Sequence, residues 1–283
     1  MPEDVRRPAV AGQFYAGTST ELTRQIEECF THRLGPGSLP EVSDDGPRRI
    51  VGVISPHAGY VFSGPTAAHG YDALAADGRP DVFVIVGLNH GRGGISSAVQ
   101  TGGAWETPLG TVPIAEEVAA EIAGRLPDFS FDPQDMAMEH SIEVQLPFLQ
   151  YLYEEHLVFV PVMMSSQDLD SARAVGRALA KALDGLDAVI VASTDMTHYE
   201  QASSAKRKDN ILIQRIEALD AEGLIAERES RGITMCGAGP VAATIIAATA
   251  MGATEVQSLA YSTSGDVMPA EEVVGYYSAV IRR

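Results

Sequence analysis

Cysteine, tryptophan and positive charge are all scarce in this 283-residue chain, and each shortage removes a class of protein from consideration. Two cysteines, Cys29 and Cys236, cannot build a disulfide framework, so a disulfide-stapled secreted fold is excluded. Twenty Lys and Arg stand against 38 Asp and Glu, giving a formal net charge of -18 and a pI near 4.7. Such a surface repels polyanions, which argues against nucleic acid as a partner. No apolar run approaches the roughly 18 to 20 residues of a membrane span. The N-terminal MPEDVRRPAV also lacks the apolar core of a secretory signal, so a cytoplasmic location without membrane association is expected. There is no GxSxG elbow for a serine nucleophile. The glycine-rich GRGGI at residues 91–95 could cradle an anion, but it lacks the spacing and the lysine of a phosphate loop. With one tryptophan and few aromatics near the motifs, no aromatic substrate pocket is indicated.

What the chain does have is an alternation of β-branched runs and amphipathic stretches. At 45% hydrophobic residues it can bury a sizeable core, and one domain over residues 1–283 is expected. The Gly-, Pro- and Asp-rich segment 32–49 marks a surface loop between a first helix and a first strand. Beyond it, strands alternate with helices, including one expected from about Ser63 with Pro65 in its first turn. This pattern implies an α/β fold with a central mixed, mainly parallel sheet flanked by helices. The closing runs VQSLAYSTS and VVGYYSAVIRR are expected to pair antiparallel.

Three of the apolar runs end in a histidine-bearing loop: RIVGVIS before His57, DVFVIVG before His90, and AVIVAS before Asp195 and His198. In open α/β sheets the carboxyl ends of parallel strands converge on one crevice, so these imidazoles are expected to share a wall. Cys236 opens the glycine-rich CGAGPV entry to an apolar helix, where backbone amides and the helix dipole would favour a thiolate. Two imidazoles with one thiolate or carboxylate suit iron, copper or zinc better than magnesium or calcium. Asp195 alternatively caps the helix after STDMTHY, and His198 alternatively serves as a base beside the metal. His140, in MEHSIEVQLPF, is expected to begin an amphipathic helix that Ser141 could cap, packing under the site without touching the metal. His32, His69, His156 and Cys29 read as packing or surface residues.

In order along the chain, AVAGQFYAG, ISPHAGYVFSG, GLNHGRGG, EHSIEVQLPFLQ, ASTDMTHYE, MCGAGPV and YSTSGDV resemble the Memo family, whose prokaryotic branch is called AmmeMemoRadiSam system protein B. The resemblance covers nearly the whole chain. It implies a fold similar to class III extradiol dioxygenases, with His57, His90 and Cys236 at the metal positions and Asp195 and His198 as the flanking catalytic pair. The family pattern departs here at Ala16 and Leu88, where proline is expected, and at Gly91, where threonine is expected. Extradiol enzymes carry a carboxylate where this chain has Cys236, and a soft thiolate shifts preference toward copper or redox chemistry.

Two functions follow as expectations. One is a metal-dependent redox or dioxygenase-like enzyme using iron or copper, with zinc a further candidate, in which His198 moves a proton and Asp195 orients it. The other is a non-catalytic binding or adaptor module that holds a small molecule, peptide or partner protein in the crevice. The family's system name implies partners of two kinds, a radical S-adenosylmethionine protein and a small AMMECR-type protein. This chain lacks the three-cysteine motif that radical chemistry needs.

Overall fold

A computed structural model describes residues 4–91, 97–126 and 136–283 of the chain. Its strands are β1 (Val5–Arg6), β2 (Ile50–Ser55), β3 (Val82–Leu88), β4 (Ser97–Val99), β5 (Ala104–Thr107), β6 (Gly110–Pro113), β7 (Phe159–Met164), β8 (Ala188–Ser193), β9 (Glu200–Gln201), β10 (Glu255–Thr263), β11 (Glu272–Val273) and β12 (Gly275–Arg282). Its α-helices are α1 (Ser19–Thr31), α2 (Tyr60–Asp77), α3 (Glu116–Ala123), α4 (Leu146–Tyr153), α5 (Leu169–Ala182), α6 (Ala202–Glu217), α7 (Ala221–Arg231), α8 (Ala238–Ala250) and the short α9 (Ser264–Val267).

β2, β3, β7 and β8 are buried at every residue, as strands covered on both faces must be, and this is why they read as unbroken apolar runs. They form the parallel centre of a seven-stranded sheet in the order β10-β12-β2-β8-β3-β7-β4. Both flanks are antiparallel: β12 pairs with β2 and β10 on one side, and β4 with β7 on the other. The sheet is therefore mixed around a parallel core, with helices against it. A second, three-stranded sheet, β1-β5-β6, meets β7 at an isolated bridge between Ile114 and Phe159.

The helices follow from local signals. Thr18 caps α1 by accepting from the Glu21 N–H, and Leu22, Ile26, Cys29 and Phe30 make its buried stripe. Cys29 is buried, and a Cβ on Gly64 of α2 would strike its sulfur, so it is a packed hydrophobe as expected. Asp168 caps α5 through the Ser171 N–H. α8 is buried nearly all round, because α5 closes over it so tightly that a Cβ on Gly176 would lie 2.7 Å from the Ala243 carbonyl oxygen.

Two expected boundaries move. α2 starts at Tyr60, not near Ser63, so Pro65 sits in the second turn, where its missing N–H leaves the Val61 carbonyl without a helical partner. Val61 is exposed, which lets water satisfy that group. His140 does not begin a helix: a 3₁₀ turn at Glu143–Gln145 leads into α4, and His140 lies in the loop ahead of it. Ser141 caps nothing there. Its hydroxyl donates to the Leu88 carbonyl and accepts the Leu88 N–H, tying the loop to the end of β3. Most of the GRGGI segment lies outside the described residues.

Candidate metal centre

β2, β8 and β3 are neighbours, and the loops leaving their carboxyl ends bring His57, Asp195 and His90 together. Cys236 arrives from the entry to α8. The approach of that turn to β8 depends on Gly237, where a Cβ would stand 2.5 Å from the Ser193 carbonyl oxygen and 2.6 Å from Thr194 Cβ. Cys236 Sγ lies 3.3 Å from His57 Nε2, and His57, His90 and Cys236 offer ligand atoms that all lie within 4.8 Å of one another. Nitrogen and sulfur atoms so spaced fit a single transition-metal ion at ordinary bond lengths of about 2.0 to 2.3 Å.

Each histidine has its proton placed by its neighbours. Ser193 Oγ donates to the Ser141 carbonyl at 2.6 Å and accepts from Gln145 Nε2 at 2.8 Å. Its hydroxyl proton is thereby used, so at 2.8 Å from His57 Nδ1 it must accept from an Nδ1–H. His90 Nδ1 lies 2.9 Å from the Glu139 carboxylate, which can only accept. His198 Nδ1 lies 3.0 Å from the Thr234 carbonyl oxygen, another pure acceptor. All three rings carry the Nδ1 proton and leave Nε2 with a free lone pair, the form in which an imidazole binds a metal or takes a proton.

Burial governs the charges. His57 is 1% exposed, and burial, reinforced by His140 and His90, holds its pKa well below the usual imidazole value. Burial and the Asp195 charge push the Cys236 thiol up to about 12. The expected thiolate therefore does not form without a cation. The α8 entry amides serve other acceptors: the Gly237 N–H donates to Thr194 Oγ1 and the Gly239 N–H to Gln167 Oε1. The Asp195 N–H, which is not part of that entry, donates to the sulfur at 3.2 Å. Burial raises Asp195 to about 6, against the N–H groups of His57 and Ala58 and the charge of His198, all of which favour its carboxylate.

Asp195 accepts the His57 N–H at 2.9 Å. It therefore fixes the His57 loop, and it neither caps the following helix, which starts at Ala202, nor holds His198, whose N–H and ring are both held by Thr234. His140 is brought in more closely than expected. Its ring stacks on His90 with centroids 4.4 Å apart and stands edge-on to His57 at 5.5 Å. His69 donates to or accepts from nothing in the site; its Nε2 meets the Leu34 carbonyl.

Sequence reasoning passed over Glu139, although it directly precedes His140. Its buried carboxylate takes the backbone N–H of His90 and of Ser141, each at 2.7 Å, besides the His90 ring N–H. Burial alone would raise its pKa, but these bonds and the His90 charge hold it down at about 2. His90, Glu139 and His140 are themselves close enough to ligate an ion, but three N–H donors already occupy that carboxylate, which suits it to support His90. Two of the family departures also find a use. Leu88 and Ala16, where proline is expected, donate the N–H that proline lacks to Ser141 Oγ and Gln25 Oε1.

A sequence profile described as Memo-like protein matches residues 6–280. The chain belongs to the Memo family. Similar curated proteins include a MEMO1 family protein of Methanopyrus kandleri, 52% identical over 281 residues, covering 98% of this chain and 99% of that one. Another, from Methanothermobacter thermautotrophicus, is 48% identical over 275 residues and covers 96% and 98%. A third, from Nitrosopumilus maritimus, is 41% identical over 273 residues, again covering 96% and 98%. The ordered motifs and this full-length similarity agree. No described helix of this Memo-family protein is long and apolar enough to cross a membrane.

Proposed function

We propose that this Memo-family protein is a metal-dependent redox protein that holds iron or copper through His57 Nε2, His90 Nε2 and Cys236 Sγ. One observation carries the reading: Sγ and the two imidazoles lie within bonding range of one ion while independent acceptors turn both Nε2 lone pairs free. Two nitrogens and one sulfur leave coordination positions open for solvent or substrate, unlike a closed four-ligand structural zinc site. When bound, the ion would supply Lewis-acid and redox chemistry to such a substrate.

The chain's own residues have separable tasks in this reading. Cys236 gives up its S–H proton as it ligates, so binding releases a proton and tightens as pH rises. Asp195 keeps the His57 loop in place. His198, partly exposed at the rim with Nε2 free, accepts a proton from a bound substrate. The reading places the protein in the cytoplasm, where reducing conditions keep Cys236 a thiol. Elemental mass spectrometry on untagged protein tests it. Near-stoichiometric iron or copper, lost in both His57→Ala and Cys236→Ser, is expected, whereas variants that keep the wild-type metal content overturn it.

A second reading, an adaptor that docks a partner over the crevice, is favoured by Met138 and Tyr199, which are 77% and 74% exposed beside Glu139 and His198. A radical S-adenosylmethionine protein and an AMMECR-type protein are the partners to try. Binding that survives metal removal and is lost in Met138→Ser/Tyr199→Ser would support it, and binding unaffected by that double substitution would end it.

A further inference from the structure

Resting on the metal reading above, we infer that Gln145 is the positioning residue of the His57 ligand: its side-chain amide braces both the backbone just before His57 and the hydroxyl behind its ring. Gln145 is 1% exposed, at the end of the 3₁₀ turn Glu143–Gln145. Its Nε2 lies 3.0 Å from the Pro56 carbonyl oxygen and 2.8 Å from Ser193 Oγ, and its Oε1 lies 2.5 Å from the Tyr71 hydroxyl. A carbonyl oxygen can only accept, so the amide nitrogen must face Pro56, and Tyr71 then donates to Oε1. Both amide protons therefore go to groups that flank His57.

The same turn holds the far end of the His57 loop. The Val144 carbonyl accepts the Tyr60 hydroxyl at 2.7 Å, so the segment from Pro56 to Tyr60 is tied at both ends to residues 144 and 145, with Asp195 accepting the His57 N–H between them. His90 needs no such relay, because Glu139 takes both its backbone N–H and its ring proton. On the His57 side that double task falls to Gln145, which reaches the backbone through Pro56 and the ring through Ser193. Ser193 Oγ donates to the Ser141 carbonyl and accepts from Gln145, which leaves one lone pair for the His57 Nδ1–H. A ligand oriented in advance loses less freedom when the ion arrives, and partners behind a metal-bound imidazole are worth about 10- to 100-fold in affinity.

The test is a pair of anaerobic titrations of metal-stripped protein, with Cu⁺ and with Fe²⁺, preceded by nitrogen-15 spectra of the histidine rings without metal. Gln145→Met keeps the bulk and removes both N–H donors. It is expected to weaken binding of each ion the wild type takes up by about 10- to 100-fold, and to shift or broaden the His57 Nδ1–H signal while that of His90 stays. Tyr71→Phe leaves both donors but releases the amide oxygen, so it moves the same two readouts by smaller amounts and reports even where Gln145→Met folds poorly. In Ser193→Ala the ring partner is already gone, so adding Gln145→Met costs less affinity than it does in the wild type. An affinity and a His57 signal unchanged in every one of these variants that folds, or losses for Gln145→Met and Ser193→Ala that simply multiply, overturn the inference and leave the metal reading intact. Wild-type protein that takes up neither ion overturns both.

Discussion

Glu143 is the polar residue on which the site's scaffold most depends, and replacing it with glutamine should cost far more than a surface change. Its carboxylate is fully buried and accepts from Arg6 Nη1 at 2.7 Å, the Ala9 N–H at 2.8 Å, the Val10 N–H at 3.0 Å and the Tyr15 hydroxyl at 2.6 Å. The Arg6 side chain is only 7% exposed, so the pair is broken inside the protein. Glutamine keeps the volume but turns one acceptor oxygen into a donor and strips Arg6 of its counter-charge. Removing one partner of a buried ion pair costs about 3 to 5 kcal/mol, a large share of the roughly 5 to 15 kcal/mol that holds a domain together. Arg6 also donates to the carbonyls of Met136 and Glu139, so the loss reaches the loop that carries Glu139 and His140. Urea unfolding at neutral pH, followed by circular dichroism, measures the cost. A double-mutant cycle with Arg6→Met then separates the pair from the two N–H bonds. A loss below about 1 kcal/mol for Glu143→Gln would refute the argument that this carboxylate is an unreplaced buried counter-charge.

Three further outcomes follow from other parts of the molecule. Gly237→Ala places a Cβ 2.5 Å from the Ser193 carbonyl oxygen and should displace Cys236, lowering both the melting temperature and metal affinity; unchanged metal affinity would show that the turn relaxes without moving the sulfur. Asp209 is buried under hydrogen bonds from the Thr197 N–H and hydroxyl and from the Tyr261 hydroxyl, and burial raises its pKa despite them. The folded state therefore holds that proton more tightly than the unfolded chain, and its contribution to stability is lost as pH rises from the ordinary carboxylate value through the raised one. Asp209→Asn should flatten that part of the stability profile, read from urea midpoints across the acidic range. Leu88→Pro should remove the N–H that Ser141 accepts, lowering stability by about 1 kcal/mol and loosening the His90 loop, which hydrogen exchange of the amides of residues 89 and 90 would report.

Much of the framework was legible in the sequence because it depends on local pattern. Short unbroken runs rich in β-branched residues, such as VFVIVG, read as strands covered on both faces, and the residues just beyond a strand enter a loop. The positions of His57, His90 and His198 at strand ends follow directly, as does the packing role of Cys29 on its amphipathic helix. The partners of those residues were not legible, since they come from segments brought together by strand order. Ser193 meets His57 because β8 pairs with β2 in register, with Ser55 opposite Ser193. Glu139 reaches His90 because the close approach of the 141–142 segment to Gly87 leaves no room for a Cβ there. Asp195 serves the His57 loop and Thr234 takes His198, a division that spacing along the chain cannot express. The sequence by itself determined which residues could be strands, which histidines would leave their ends, and which family the chain resembles. The tertiary structure alone decided where each imidazole keeps its proton and which carboxylate stands behind it, because a hydrogen bond depends on distances of a few tenths of an ångström between residues far apart in the chain.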